Sequence, residues 1–196
     1  MSNKKRILLL GDSIRLQYGP VVAQLLKDKA EVLFPEENCR YIKFLLWGAR
    51  HWAAALGGNF DVVHFNAGIW DNHRYIMEDG ADISLTKGCG EPFTTLSEYV
   101  ATSERLVREI KAIAPQAAFA TTIPGTVQFD DWNKRIKLFN DCVVPLYQYS
   151  GFEIDDLYSV INSDLEGNIC EDKVHLSEKG IKECAEAVAS FLERYL

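Results

Sequence analysis

Two short stretches near opposite ends of the chain carry side chains whose types and spacing suit acyl transfer. The first is Gly11-Asp12-Ser13, directly after an apolar run. The second is Asp172-Lys173-Val174-His175, in which a carboxylate and an imidazole lie three residues apart. At that spacing the carboxylate can hold one ring nitrogen and leave the other free to accept a proton. A serine hydroxyl beside this pair would have both a base and an orienting group.

The elements around these residues must bring them together. Four apolar residues, Ile7-Leu8-Leu9-Leu10, predict a strand buried on both faces. Gly11 allows a sharp turn, and Asp12 or Ser13 can cap the following helix. A serine at the carboxyl end of a central parallel strand lies where open α/β sheets bind ligands. Ser177 is a suitable cap for the last helix, which places His175 on the loop before it.

With these motifs the chain resembles the SGNH (GDSL-type) hydrolases over nearly its whole length. Besides the two stretches above, the resemblance rests on Gly48, on Asn66-Ala67-Gly68-Ile69-Trp70-Asp71 and on Ile154-Asp155-Asp156-Leu157-Tyr158. The resemblance implies a serine esterase. In it Ser13 is the nucleophile, His175 the general base and Asp172 the group that orients the histidine.

The same resemblance implies an oxyanion hole built from the Ser13 N–H, the Gly48 N–H and an asparagine amide. The family's third block usually reads Gly-x-Asn-Asp, but here Trp70 stands in the asparagine position. Asn66 lies two residues before Gly68 and therefore on the same face of the strand. We expect Asn66 to supply the amide.

Trp70, Asp71 and His73 are predicted to line the substrate pocket, with Trp70 keeping the acyl site small. Asp71 and His73 also form a second Asp-x-His pair, which is an alternative base. Cys89, between two glycines, is an alternative nucleophile. His64, on the third predicted strand, is interpreted as a packed strand histidine.

Two functions without hydrolysis stay open at this point. A flavodoxin-like binding domain could hold a phosphate at the turn formed by residues 11–13, because helix N-termini favour anions. That interpretation gives no role to the Asp-x-x-His stretch. The other alternative is a degenerate hydrolase that keeps the triad without an effective oxyanion hole.

The length and composition of the chain limit its domain number and its classes of binding partner. The chain has 196 residues, 47% of them hydrophobic, which suits one domain over residues 1–196. With 21 Lys and Arg against 28 Asp and Glu the net charge is −7, which disfavours nucleic acid and anionic membranes as partners. Five scattered cysteines fit reduced thiols, and no metal or other cofactor is predicted. The apolar run near the N-terminus is too short for a secretory signal, so we expect a cytoplasmic location.

Alternating strand and helix patterns predict an α/β fold, a three-layer α/β/α sandwich around a flavodoxin-like parallel sheet of five strands in the order 2-1-3-4-5. Helices are expected over residues 18–29, 42–56, 95–114, 132–149 and 177–196. Residues 35–38 form a polar loop at the catalytic end of the sheet. Residues 71–93 show no clear periodicity and are expected to be a lid or a substrate wall without regular structure, with a surface insertion as the alternative.

The substrate follows less directly from the residues. The acidic residues of the 71–93 segment leave no long apolar groove, which disfavours long-chain lipids. Four tryptophans in or near the catalytic end suit sugar rings as well as acyl chains. We therefore expect a small-molecule ester with a short acyl chain, such as an acetyl group on a carbohydrate.

Overall fold

The computed structural model describes residues 4–77, 81–84, 90–128 and 131–196. In those ranges the strands are β1 (Lys5–Leu10), β2 (Ala30–Leu33), β3 (Val62–Phe65), β4 (Arg74–Met77), β5 (Ala81–Ser84), β6 (Glu91–Pro92), β7 (Gln116–Ala120) and β8 (Glu153–Asp155). The helices are α1 (Ser13–Leu26), α2 (Ile42–Ala55), α3 (Leu96–Lys111), α4 (Trp132–Tyr149), α5 (Leu157–Asn162), α6 (Leu165–Asn168) and α7 (Glu178–Leu192), followed by a 3-10 turn at Glu193–Tyr195.

Five parallel strands form the central sheet in the order β2-β1-β3-β7-β8. Counted along the chain, these are the first to fifth strands of that sheet in the order 2-1-3-4-5. The predicted α/β fold and strand order are therefore confirmed. The carboxyl ends of the strands share one edge of the sheet, and the loops after β1 and β2 emerge there.

The two faces of β1 supply the two halves of the core. Ile7 and Leu9 pack in the layer that contains α1 and α7, whereas Leu8 and Leu10 pack in the layer that contains α2 and α3. All four side chains are fully buried, and each contributes about 2 kcal/mol of hydrophobic free energy. The turn after β1 therefore follows a strand that is packed on both faces and paired on both sides.

The first helix begins earlier than the sequence predicted. Asp12 accepts a hydrogen bond from the Ile14 N–H at 3.0 Å, so α1 starts at Ser13 instead of near residue 18. Pro20 then lies inside the helix and not in its first turn. The predicted start was about one turn too late, because the cap at Asp12 begins the helix directly after the strand.

Other helix bounds agree closely with the sequence. α2 and α4 begin at the expected residues, and α3 begins after a capping box in which Thr95 and Glu98 bond each other reciprocally. α7 is capped by Ser177, whose hydroxyl oxygen accepts the Gly180 N–H at 3.1 Å.

Regular structure occurs in the segment expected to have none. β4 pairs antiparallel with both β5 and β6, which gives a small three-stranded sheet beside the main one. The prediction of an irregular segment was wrong for these strands. They are only two to four residues long, and so short a run carries little periodicity by which a strand can be predicted from sequence. Residues 78–80 and 85–89, including Cys89, lie outside the described part of the chain.

His64 is fully buried on β3, as expected of a packed strand histidine. Its Nε2 lies 2.9 Å from Oδ2 of Asp155 on the edge strand β8. The next residue, Asp156, caps α5 by accepting the Ser159 N–H at 3.2 Å.

Within the described ranges no helix combines the length and the apolar character needed to cross a membrane.

Candidate active site

Ser13 is the first residue of α1, directly after the turn that ends β1. The first N–H groups of a helix have no partner inside the helix and favour a negative charge. Asp12 uses one of them by accepting the Ile14 N–H. The Ser13 N–H is another group of this kind, and it lies beside its own hydroxyl.

The second chemical stretch lies next to this serine. His175 Nε2 is 2.8 Å from Ser13 Oγ, and His175 Nδ1 is 2.6 Å from Asp172 Oδ2. The bond between Ser13 and His175 joins side chains that are 162 residues apart in sequence, whereas Asp172 and His175 are three residues apart. The structure thus places Asp172, His175 and Ser13 in one hydrogen-bonded row.

Asp172 is held in its charged form. Burial acts to raise its pKa, but the N–H groups of His175 and Val174 and the side chains of Cys170 and His175 lower it by more, so the pKa falls well below the usual value. A carboxylate only accepts hydrogen bonds, so Nδ1 of His175 must carry the proton. Nε2 is then the acceptor for the Ser13 hydroxyl.

Gln17 fixes the loop that carries His175. Its Nε2 donates to the Leu176 carbonyl at 3.1 Å, and its Oε1 accepts the Leu176 N–H at 3.0 Å. Gln17 lies one turn after Ser13 on α1, so one helix carries both the serine and the support of the histidine. The sequence analysis did not find this role, because no local pattern links Gln17 to Leu176.

A cleft of about 320 Å³ opens beside the serine–histidine pair. Its walls are mainly apolar and include one aromatic ring, one imidazole ring and one amide besides the catalytic candidates: Ser13, Asn38, Ile69, Trp70, His73, Val174 and His175. Trp70 and His73, which were predicted to line a substrate pocket, both line this cleft. Asn38 was not among the predicted site residues, although its loop was expected at this end of the sheet.

Gly48 does not lie in this cleft. It is inside α2, where a backbone N–H normally bonds the carbonyl four residues earlier. A Cβ at Gly48 would meet the Trp52 ring at 2.4 Å, so close helix packing explains the glycine. The predicted oxyanion role of the Gly48 N–H is therefore corrected: the helix already uses that donor.

Asn66 packs against the turn that precedes Ser13. Its Nδ2 donates to Asp12 Oδ1 at 3.2 Å, and its side chain is almost completely buried. A Cβ at Gly11 would come within 1.9 Å of Asn66 Oδ1, so only glycine allows this approach. The prediction that Asn66 donates to an oxyanion is corrected, because its amide is buried against the cap residue Asp12 and Asn66 is not among the residues that line the cleft.

Asp71 binds the N-terminus of α2. Its carboxylate accepts the Ile42 N–H at 3.0 Å, at the N-terminus of α2, and the residue is 1% exposed. Burial raises the pKa of Asp71 to about 7. Asp71 was predicted to line the substrate pocket, and this is corrected, because its carboxylate serves the start of a helix.

His73 is packed between two indoles. Its ring centroid lies 5.7 Å from that of Trp70 and 5.5 Å from that of Trp132. Burial lowers the pKa of His73 to about 3, so the ring is neutral at ordinary pH. Neither ring nitrogen bonds Asp71 or any other described residue. The alternative Asp71–His73 base pair is therefore not formed.

Arg15 connects the serine turn to the loop after β2. Its fully buried guanidinium donates to the carbonyls of Pro35 at 2.8 Å, Glu37 at 2.7 Å and Gly11 at 3.1 Å. The Cys39 N–H also donates to the Gly11 carbonyl at 3.0 Å.

Among the described residues no group of three or more His, Cys, Asp or Glu side chains could hold a metal ion.

Comparison with known proteins finds the fold but no close relative. No protein-family model and no curated protein matches the chain. Solved structures do match over full length. An acetyl xylan esterase from Geobacillus stearothermophilus has 19% identity and a TM-score of 0.73, with 100% of this chain and 97% of that chain covered.

Two further matches are a lipase and a lipase/acylhydrolase. A GDSL-like lipase from Bacteroides thetaiotaomicron has 14% identity and a TM-score of 0.74, with 98% of this chain and 89% of that chain covered. A lipase/acylhydrolase from Enterococcus faecalis has 15% identity and a TM-score of 0.72, with 97% and 96% covered. These matches identify the fold of this chain as the SGNH hydrolase fold.

Proposed function

We propose that this protein is a serine esterase that removes short acyl groups, with acetylated carbohydrate as its substrate class. The observation that carries the proposal is the continuous row of hydrogen bonds from Asp172 through His175 to Ser13. In this proposal the whole chain acts as one hydrolase domain. The cytoplasmic location stays a prediction from the sequence.

In the acylation step Ser13 Oγ attacks the ester carbonyl carbon while His175 Nε2 takes the hydroxyl proton. Asp172 stabilises the resulting imidazolium through its bond to Nδ1. The tetrahedral intermediate collapses as the carbon–oxygen bond to the alcohol breaks, and His175 returns the proton to that alcohol. The product is an acyl group esterified to Ser13.

In the deacylation step a water molecule attacks the acyl-serine carbonyl and gives a proton to His175 Nε2. The bond to Ser13 Oγ then breaks, His175 reprotonates the serine and the carboxylic acid leaves. The developing oxyanion needs fixed donors in both steps, and the unpaired N–H of Ser13 at the start of α1 is one of them.

The substrate class rests on the shape of the cleft and on the structural relatives. A cleft of about 320 Å³ is small, and the rings of Trp70 and His73 make up part of its wall. Flat rings suit the faces of a sugar as well as a short acyl chain. The similarity to acetyl xylan esterases supports the same choice at the level of the fold.

Replacing Ser13 with alanine tests the proposal. Ser13→Ala should fold normally and lower kcat for p-nitrophenyl acetate by about 10³-fold or more. A serine-directed phosphonate should label wild-type protein on the peptide that contains Ser13 and should not label the variant. Retention of most activity by the variant, or labelling at another serine, would contradict the proposal.

The phosphate-binding alternative has its own outcome in the same experiment. In that case wild-type protein would show no phosphonate adduct and would bind inorganic phosphate, with Ser13→Ala weakening the binding. The alternative gives no reason for a 2.8 Å contact between Ser13 and His175, which is why we prefer the esterase.

A further inference from the structure

We propose that Asn38 is a further catalytic residue, whose side-chain amide donates to the oxyanion in place of the asparagine expected at the end of β3. The proposal rests on the esterase function above. It assigns a role to a residue in the loop between β2 and α2, far in sequence from the block in which the family resemblance implied the donor.

The first argument is that, among the described residues, the asparagines nearest in sequence to the expected position already bond other groups. Asn66 donates to Asp12, as described above. Asn72 donates to the Trp132 carbonyl at 3.3 Å, and its oxygen accepts Arg135 Nε at 2.9 Å. Asn38 is the asparagine that lines the cleft together with Ser13 and His175.

The second argument is the orientation of the Asn38 amide. Its Oδ1 accepts the Arg40 N–H at 2.8 Å. A backbone N–H can only donate, so the atom facing it must be the oxygen, which settles the direction of the amide. Nδ2 therefore points away from Arg40, and it has no hydrogen-bond partner within the described ranges. It is a donor held in a fixed direction at the wall of the cleft.

The third argument is the attachment of this loop to the nucleophile. Arg15 donates to the carbonyls of Pro35 and Glu37 in the loop and to the carbonyl of Gly11 in the serine turn. The Cys39 N–H, next to Asn38, also donates to Gly11. An oxyanion donor helps catalysis when it is preorganised relative to the nucleophile, and these bonds supply that rigidity. In this proposal the function of the buried Arg15 is to hold the Asn38 loop against the serine turn.

Asn38→Asp tests the proposal with little change of shape. Aspartate keeps an oxygen for the Arg40 N–H but has no N–H donor, and Asn38→Ala removes the donor without adding a charge. For both variants we expect kcat for p-nitrophenyl acetate to fall by about 10²- to 10³-fold, with KM changed less than about threefold. Glu36→Gln, an exposed change in the same loop, should leave both constants unaltered.

A transition-state analogue separates donation from general loosening of the loop. Methylboronic acid adds to the serine and places a boronate oxygen at the oxyanion position. Its inhibition constant should rise in both Asn38 variants in proportion to the loss of kcat, while the thermal midpoint stays close to that of Glu36→Gln. A loop that was only loosened would raise KM and lower the thermal midpoint together, and that result would overturn the proposal.

The outcomes for the two proposals are distinct. If wild-type protein is labelled at Ser13 and both Asn38 variants keep kcat within threefold, the Asn38 role is overturned and the esterase stands. A loss of about 10²-fold in Asn66→Ala, with Asn38 variants unaffected, would return the role to Asn66. If wild-type protein neither reacts with the phosphonate nor cleaves the ester, both proposals fall.

Discussion

Gln17 and Leu176 are joined by two hydrogen bonds, side-chain amide to backbone, across 159 residues of sequence. This clamp ties the loop that holds His175 to the helix that begins with Ser13. Gln17, which lies outside the Asp-His-Ser row, therefore helps to hold His175 beside Ser13. In an enzyme, a displacement of about 1 Å at such a contact can cost on the order of 10²-fold in rate.

Gln17→Ala should therefore affect catalysis more than stability. We expect kcat to fall about tenfold or more, and the free energy of unfolding to fall by about 1–2 kcal/mol from the two lost bonds. Gln24→Ala, an exposed change on the same helix, is the control. Steady-state kinetics and urea unfolding measure the two effects, and an unchanged kcat in Gln17→Ala would show that the clamp does not position His175.

The two histidines near the cleft should behave differently. His175→Ala should lower kcat by about 10³-fold or more, because no group remains to accept the serine proton. His73→Phe keeps a ring between Trp70 and Trp132, and we expect kcat for p-nitrophenyl acetate to stay within about threefold. Because the pKa of His73 is lowered to about 3, kcat of the His73→Phe variant should depend on pH above pH 5 in the same way as kcat of wild type. The reverse pattern would make His73 the base.

Trp70 should set the acyl chain length. Trp70→Ala widens a cleft of about 320 Å³, so kcat/KM for p-nitrophenyl hexanoate should rise at least about tenfold relative to p-nitrophenyl acetate. Trp47→Ala is the matched control, because Trp47 lies on α2 outside the cleft and is 71% exposed. An unchanged preference in Trp70→Ala would mean that another wall limits the acyl group.

Asp71 should make stability depend on pH. Its folded pKa is raised to about 7 by burial, above the ordinary 3.8, so between about pH 4 and pH 7 the folded state keeps a proton that the unfolded state releases. Stability therefore falls as the pH rises through this window, by up to about 4 kcal/mol. Asp71→Asn should lack that fall.

Urea unfolding at pH 5 and pH 8 measures the effect of Asp71. The free energy of wild type minus that of Asp71→Asn should be lower at pH 8 than at pH 5. Asp28→Asn, a surface change, should show a difference that is independent of pH. An equally constant difference for Asp71→Asn would contradict the raised pKa.

Much of the framework could be predicted from the sequence because it depends on local patterns. The apolar run of β1, the capping box at Thr95 and the cap at Ser177 specify strands and helices within a few residues. Parallel strands with right-handed crossovers then place their carboxyl ends along one edge. That rule predicted that Ser13 and His175 would lie together, while their catalytic roles remain to be tested.

The tertiary structure alone decided which polar groups remain available to a substrate. Asn66 and Asp71 stood in suitable sequence positions, but one supports Asp12 and the other supports the start of α2. Asn38 had no motif, yet its side-chain oxygen accepts the Arg40 N–H and the residue lines the cleft. Strand and helix patterns reflect neighbours in sequence, whereas a hydrogen-bond donor is free or engaged according to neighbours in space. Those neighbours are fixed only when the layers pack.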